Sequence, residues 1–154
     1  MTHPDVSPQL AALELSANKP LLLCDADEVL FEFMTTFVSY IEDDGYYYDW
    51  STLSLTGNIR SRHDDRTLSP SQVRELINGF FAAHTADIPS VNGAAEALRR
   101  LHERGVQIVV VSNLPLAQAS ARRAALANAG MDYPLIANVG LKGPTVKQLA
   151  TRVE

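Results

Sequence analysis

The chain has a single cysteine, Cys24, so no intrachain disulfide can form. That thiol lies inside an apolar run, where it reads as a small core hydrophobe, and a reducing cytoplasm is the expected compartment. Long hydrophobic runs are missing too. No stretch approaches the ~20 apolar residues needed to cross a bilayer, and no association with a membrane is expected. The segment Met1–Asn18 carries Asp5 and Glu14 and lacks a basic start followed by an apolar centre, so it does not read as a signal peptide. Positive charge is also scarce. Thirteen Lys and Arg stand against eighteen Asp and Glu, a net charge of −5, which argues against non-specific nucleic-acid binding as the main task. There is no internal repeat and no low-complexity segment.

What is present is ordinary for a globular protein: 154 residues, 46% hydrophobic and 20% charged. That is enough for one well-buried core with a small inserted subdomain. Ser7-Pro8 before Gln9–Leu15 predicts a short helix with Ser7 as its cap. Leu21–Cys24 reads as a buried strand and Phe31–Glu42 as a helix ended by Gly45. From Tyr46 to Thr67 there is no clear period. Ser69-Pro70 then opens a helix with Val73, Leu76, Ile77, Phe80 and Phe81 on one face. After Pro89 helices and strands alternate: a helix from Asn92-Gly93 to Gly105, the β-branched run Val106–Val111, an Ala-rich helix from Pro115 to Gly130, a strand over Pro134–Val139 and a helix over Pro144–Val153. Such alternation implies parallel βαβ units. The expected fold is α/β, a three-layer Rossmann-like parallel sheet formed by residues 1–30 and 89–154, with a small helical insertion over 31–88.

The most informative segment is Cys24-Asp25-Ala26-Asp27. The first strand ends in two carboxylates spaced two apart, which an extended backbone points the same way, at the carboxyl end of a strand, where open α/β sheets place ligands. Two carboxylates about 4 Å apart repel by about 4 kcal/mol at an effective dielectric near 20. A cation, a proton or bulk water must relieve them, and Mg²⁺, a hard ion suited to oxygen ligands, is the expected cofactor.

Two further strand ends carry polar groups. Ser112 and Asn113 follow Val109–Val111, and Lys142 stands before the last helix, fixed in a loop by Gly140, Gly143 and Pro144. In a parallel sheet all three sets reach one edge. Carboxylates, a hydroxyl near free helix N–H groups and an ammonium together suit a phosphoryl group and its nucleophile.

This order of motifs resembles the haloacid dehalogenase (HAD) superfamily of phosphohydrolases. Asp25-Ala-Asp27-Glu-Val29 is similar to its first motif, Val109–Asn113 to its second and Lys142-Gly-Pro to its third. The resemblance covers about residues 19–150, with 31–88 placed like a helical cap. It implies a Mg²⁺-dependent phosphomonoester hydrolase acting on a small phosphorylated substrate, with Asp25 as nucleophile, Asp27 as acid and base, and Mg²⁺ held by an Asp25 oxygen and the Asp27 backbone carbonyl. It also implies Ser112 and Asn113 on the phosphoryl oxygens, and Lys142 paired with nucleophile and phosphate. The family's fourth motif, an acidic pair ending a further strand, has no counterpart. Twelve positions follow Lys142, with Glu154 their only acid. The expectation is a chain that stops short of that strand, the alternative a naturally incomplete metal site. A catalytically silent domain binding a phosphorylated ligand or a protein is the rival reading. A dehalogenase is disfavoured, because Asp27 would have no alcohol to protonate.

Other residues read more plainly. Lys147, one turn into the last helix, is the rival to Lys142 but is expected to be carried along a helix face. Tyr46–Trp50 is expected to pack the insertion, with stacking of a nucleobase or sugar as the alternative. Arg60, Arg62, His63 and Arg66 read as a solvated loop, with recognition of an anionic substrate as the alternative. Arg99, Arg100, Arg104, Arg122 and Arg123 are expected on the outer faces of helices.

Overall fold

The structure is a computed structural model and describes residues 2–153. In chain order its elements are α1 (Ser7–Ala11), β1 (Leu21–Cys24), α2 (Phe33–Asp43), β2 (Tyr46–Tyr48) and β3 (Ile59–Ser61), then α3 (Pro70–His84), α4 (Ala94–Glu103), β4 (Gln107–Asn113), α5 (Ala119–Asn128), β5 (Leu135–Asn138) and α6 (Gly143–Ala150). The β-branched run lies in β4, the centre of a parallel sheet ordered β1-β4-β5. Cys24 lies opposite Val110, and Asn113 opposite Asn138.

Side-chain alternation builds the three layers. Leu22, Cys24, Ile108, Val110, Leu135 and Ala137 face α4, α5 and the helices of the insertion. Leu21, Leu23, Val109, Val111 and Ile136 face the other way, where Val6, Leu10 and Leu149 cover them from α1 and α6. β5 is an edge strand, and its backbone is satisfied by a side chain. Gln9 Nε2 donates to Ala137 O at 3.0 Å while Gln9 Oε1 accepts from Ala137 N at 2.8 Å, which blunts an exposed edge.

The segment between β1 and α4 shares the core of the first face. Phe33, Phe37 and Phe80 form a ring cluster with centroids 5.3 Å apart. A Cβ on Gly79 would lie 2.8 Å from Tyr40 Oη, so a larger residue there would have to displace the Tyr40 side chain. α3 begins with a reciprocal capping box, Gln72 N donating to Ser69 Oγ at 3.3 Å and Ser69 N to Gln72 Oε1 at 2.9 Å.

Three local expectations change. The aperiodic stretch holds an antiparallel hairpin of β2 and β3, with Tyr48 opposite Ile59 and both buried. Three-residue strands are too short to show a period, and their stability comes from packing. Ser7 does not cap α1. Val6 holds the cap position without a side-chain bond, because its fully buried side chain sets how the chain meets the sheet. Helix α5 starts at Ala119 rather than Pro115, after a 3₁₀ turn over Leu116–Gln118. No helix among the described residues is long and apolar enough to cross a membrane.

Removing a ring from the shared core should cost far more than removing a cap. Phe37→Ala should destabilise by about 3–5 kcal/mol and Ser69→Ala by about 1 kcal/mol in chemical denaturation. Equal losses would contradict this packing.

Candidate active site

Past Cys24 the chain leaves the extended conformation. Ala26 O accepts from Leu30 N at 2.8 Å and from Phe31 N at 3.0 Å, and Glu28 N donates to Phe31 O at 2.9 Å. Glu28 adopts φ +60° to close this turn. Its carboxylate accepts from Met34 N at 2.6 Å, where an acid suits the start of α2. Asp25 and Asp27 therefore project from a tight turn rather than a strand, and each has its own cation.

Asp25 Oδ1 accepts from Ala26 N at 2.8 Å. Its Oδ2 lies 2.5 Å from Lys142 Nζ, the two side chains being 45% and 29% exposed. Lys142 holds the N-cap position of α6, presented by a loop that Gly140 turns with φ +76°. A chain of amides anchors that loop. Asn113 Nδ2 and Asn138 Nδ2 each donate to Gly140 O at 3.0 Å. Asn138 Nδ2 also donates to Asn113 Oδ1 at 2.7 Å, and Asn138 Oδ1 accepts from the buried Thr145 hydroxyl at 2.6 Å. The Asn113 side chain is thus engaged in holding the Lys142 loop. Lys147 stands away from Asp25, beside Pro144 and Thr151.

Ser112 lies one residue earlier on β4, on the face shared with Val110. It is fully buried and its Oγ has no hydrogen-bond partner. A buried hydroxyl without a partner costs about 1–3 kcal/mol, and such a group at a strand tip is suited to an anion that supplies the missing acceptor.

Asp27 has a partner that the sequence did not reveal. Arg122, expected on an outer helix face, is completely buried. Its Nη2 lies 2.8 Å from Asp27 Oδ1, the Asp27 side chain being 21% exposed. The guanidinium carbon sits 4.8 Å from the Phe31 ring centroid and 5.7 Å from that of Phe81, a stacked geometry favourable to a desolvated cation. Arg122 Nε and Nη1 have no hydrogen-bond partner. A signal was present. Ala119, Arg122, Ala125 and Leu126 form one buried stripe of α5 at the i, i+3, i+6, i+7 spacing of a core face, whereas Arg123 falls off it. Burial pushes the Asp27 carboxyl above its ordinary pKa. Arg122 is the strongest influence pulling it back, and the Asp25 charge adds to the rise.

The other basic residues stand apart. Arg60 pairs with Asp49 and Asp65, Arg62 with Glu42, and Arg66 with Asp64. Tyr48 packs inward, donating its hydroxyl to Thr52 O at 2.7 Å, while Trp50 is exposed. For a metal, Asp25 and Asp27 offer oxygen donors only. Among the described residues no third His, Cys, Asp or Glu joins them in a cluster able to hold an ion. That donor set fits Mg²⁺, which keeps several waters and takes phosphate oxygens.

No protein-family model matches this chain, and no curated protein matches it in sequence. Solved structures do. The class C acid phosphatase from Bacillus anthracis shares 15% identity at a TM-score of 0.56, over 97% of this chain and 55% of that one. Its tungstate-bound form gives 15% and 0.55, over 96% and 52%. CbbY from Rhodobacter sphaeroides in complex with phosphate gives 18% and 0.50, over 87% and 72%. The chain spans about half the length of the class C acid phosphatases it matches. The chain shares the fold of these structures, an α/β fold with a three-layer, Rossmann-like parallel sheet.

Arg122→Met should leave Asp27 as a buried carboxylate without its main cation. The expected loss is about 3 kcal/mol at neutral pH. With the folded-state pKa raised further, that loss should shrink as pH falls through it and Asp27 takes up a proton. Denaturation across pH checks this. An equal loss at neutral pH and below the ordinary carboxylate pKa would contradict the pairing.

Proposed function

We propose that the protein is a Mg²⁺-dependent phosphomonoester hydrolase working through an aspartyl-phosphate. The observation that carries the reading is the contact between Lys142 and Asp25, which joins the tips of β1 and β5, with the partnerless Ser112 hydroxyl on the strand between them.

A phosphate monoester dianion meeting two carboxylates needs compensating charge, and the Lys142 ammonium lies where it can supply it. In the first step the Asp25 carboxylate attacks phosphorus. A bond forms between phosphorus and the Asp25 oxygen, and the ester P–O bond breaks. Asp27 gives its proton to the departing alkoxide, so the alcohol leaves neutral. In the second step Asp27, now a carboxylate, takes a proton from water as the water oxygen attacks phosphorus. The Asp25–phosphorus bond breaks, and phosphate leaves with both aspartates restored. A raised Asp27 pKa suits a residue that must hold a proton before the first step. Ser112 donates to a phosphoryl oxygen, and Asn113 completes the oxygen-binding corner from the same strand tip while its side chain keeps Lys142 in place. Mg²⁺, held by an Asp25 oxygen and the Asp27 backbone carbonyl, would supply further positive charge to the phosphoryl oxygens. Residues 31–88 act as the cap over this edge, and residues 1–30 and 89–154 as the core. A cytoplasmic location completes the proposal.

The two-acid donor set favours a second reading, a domain that binds phosphate without turning it over. Thermal stabilisation by phosphate, with no hydrolysis in excess Mg²⁺, would identify it.

The test is hydrolysis of an aryl phosphate with and without EDTA. Activity should require Mg²⁺, and Asp25→Asn should lower kcat by at least about 10³-fold. Full activity in Asp25→Asn, or metal-independent turnover, would contradict the mechanism.

A further inference from the structure

A cavity of about 650 Å³ opens between α3 and the tips of β4 and β5, a size that admits a small organic molecule. Arg74, Ile77, Asn78 and Phe81 line it from one side, and Asn113 and Leu114 from the other. The four α3 residues follow i, i+3, i+4, i+7, one face of a helix. Phe81 marks the end near the reaction centre, since its ring lies 5.7 Å from the guanidinium that holds Asp27. Arg74 is seven residues earlier, about 10 Å along the helix axis. It is exposed. Among the described residues no carboxylate pairs with it, unlike Arg60, Arg62 and Arg66, each held by its own acid. Asp5 is the one acid on the cavity wall, and its carboxylate lies 3.5 Å from His3 Nδ1.

The cavity thus borders the proposed phosphoryl corner through Asn113 and Gly140, and passes the apolar side chains of Ile77, Phe81 and Leu114 to an unengaged guanidinium. We infer that it selects a phosphate ester whose alcohol portion carries a second anionic group, a carboxylate or a phosphate, beyond an apolar spacer, with Arg74 as the residue that binds that second group. This inference rests on the proposed phosphoryl site and extends it to the class of substrate.

Titration calorimetry of the whole chain in Mg²⁺ tests it without requiring turnover. The ligands are inorganic phosphate and straight-chain phosphonocarboxylates of increasing length, each compared with the alkylphosphonate of the same length. The readout is the ratio of the two Kd values. At one spacer length the carboxylate should tighten binding about tenfold, as a charge-assisted hydrogen bond does. That ratio should fall towards one in Arg74→Ala, invert in Arg74→Glu and rise in Asp5→Asn. If phosphate binds but no length shows a carboxylate preference, or the preference survives in Arg74→Ala, the substrate class is wrong and the phosphoryl site stands. If neither phosphate nor any phosphonate binds, both fall together.

Discussion

Two carboxylates crowded into one turn at the end of β1 need positive charge close by, and the positions of the cations set much of the surrounding architecture. Lys142 reaches Asp25 only because the loop after β5 is pinned by the amides of Asn113 and Asn138. Arg122 reaches Asp27 only because α5 turns a charged residue onto its buried stripe. Neither pair contributes much through Coulomb attraction alone once desolvation is counted. Their effect is to make one arrangement of β1, β5 and α5 much better than its neighbours, since any slip strands a charge.

The two pairs differ in character. The Asp25–Lys142 pair is partly open to solvent, as the proposed exchange of partners with an incoming phosphate requires. The Asp27–Arg122 pair is closed in beneath Phe31 and Phe81, one ring from the turn after β1 and the other from α3. The insertion therefore meets Asp27 through a buried cation packed against both rings, and its position relative to the core bears directly on that carboxyl. In the proposed mechanism this difference suits the two roles, an open nucleophile at Asp25 and a locked acid and base at Asp27.

Much of this was legible in the residues. The β-branched run Val109–Val111 could hardly be anything but a central strand, and Asp25, Ser112 and Lys142 stood out because each ended an apolar segment or began a helix in the right order. Periodicity carried α3 and α4, whose apolar faces are long enough to register. The hairpin of Tyr46–Tyr48 and Ile59–Ser61 was not legible, since three residues give no measurable alternation and its stability comes from the core it joins. Arg122 was missed for a different reason. A charged side chain on a helix is ordinarily solvated, and only its place on the stripe of Ala119, Ala125 and Leu126 argued otherwise. The engagement of the Asn113 side chain depends on Gly140 and Asn138 arriving from another strand, which no local pattern encodes.

The central claim is that three strand tips share one phosphate. Amide chemical shifts of the isotopically labelled chain, followed as inorganic phosphate is added in Mg²⁺, test it most directly. The account predicts that residues 25–27, 112–114 and 140–143 respond together with a single dissociation constant. Shifts confined to one of these segments, or gathered on the opposite rim of the sheet around Lys19 and Gln107, would contradict it.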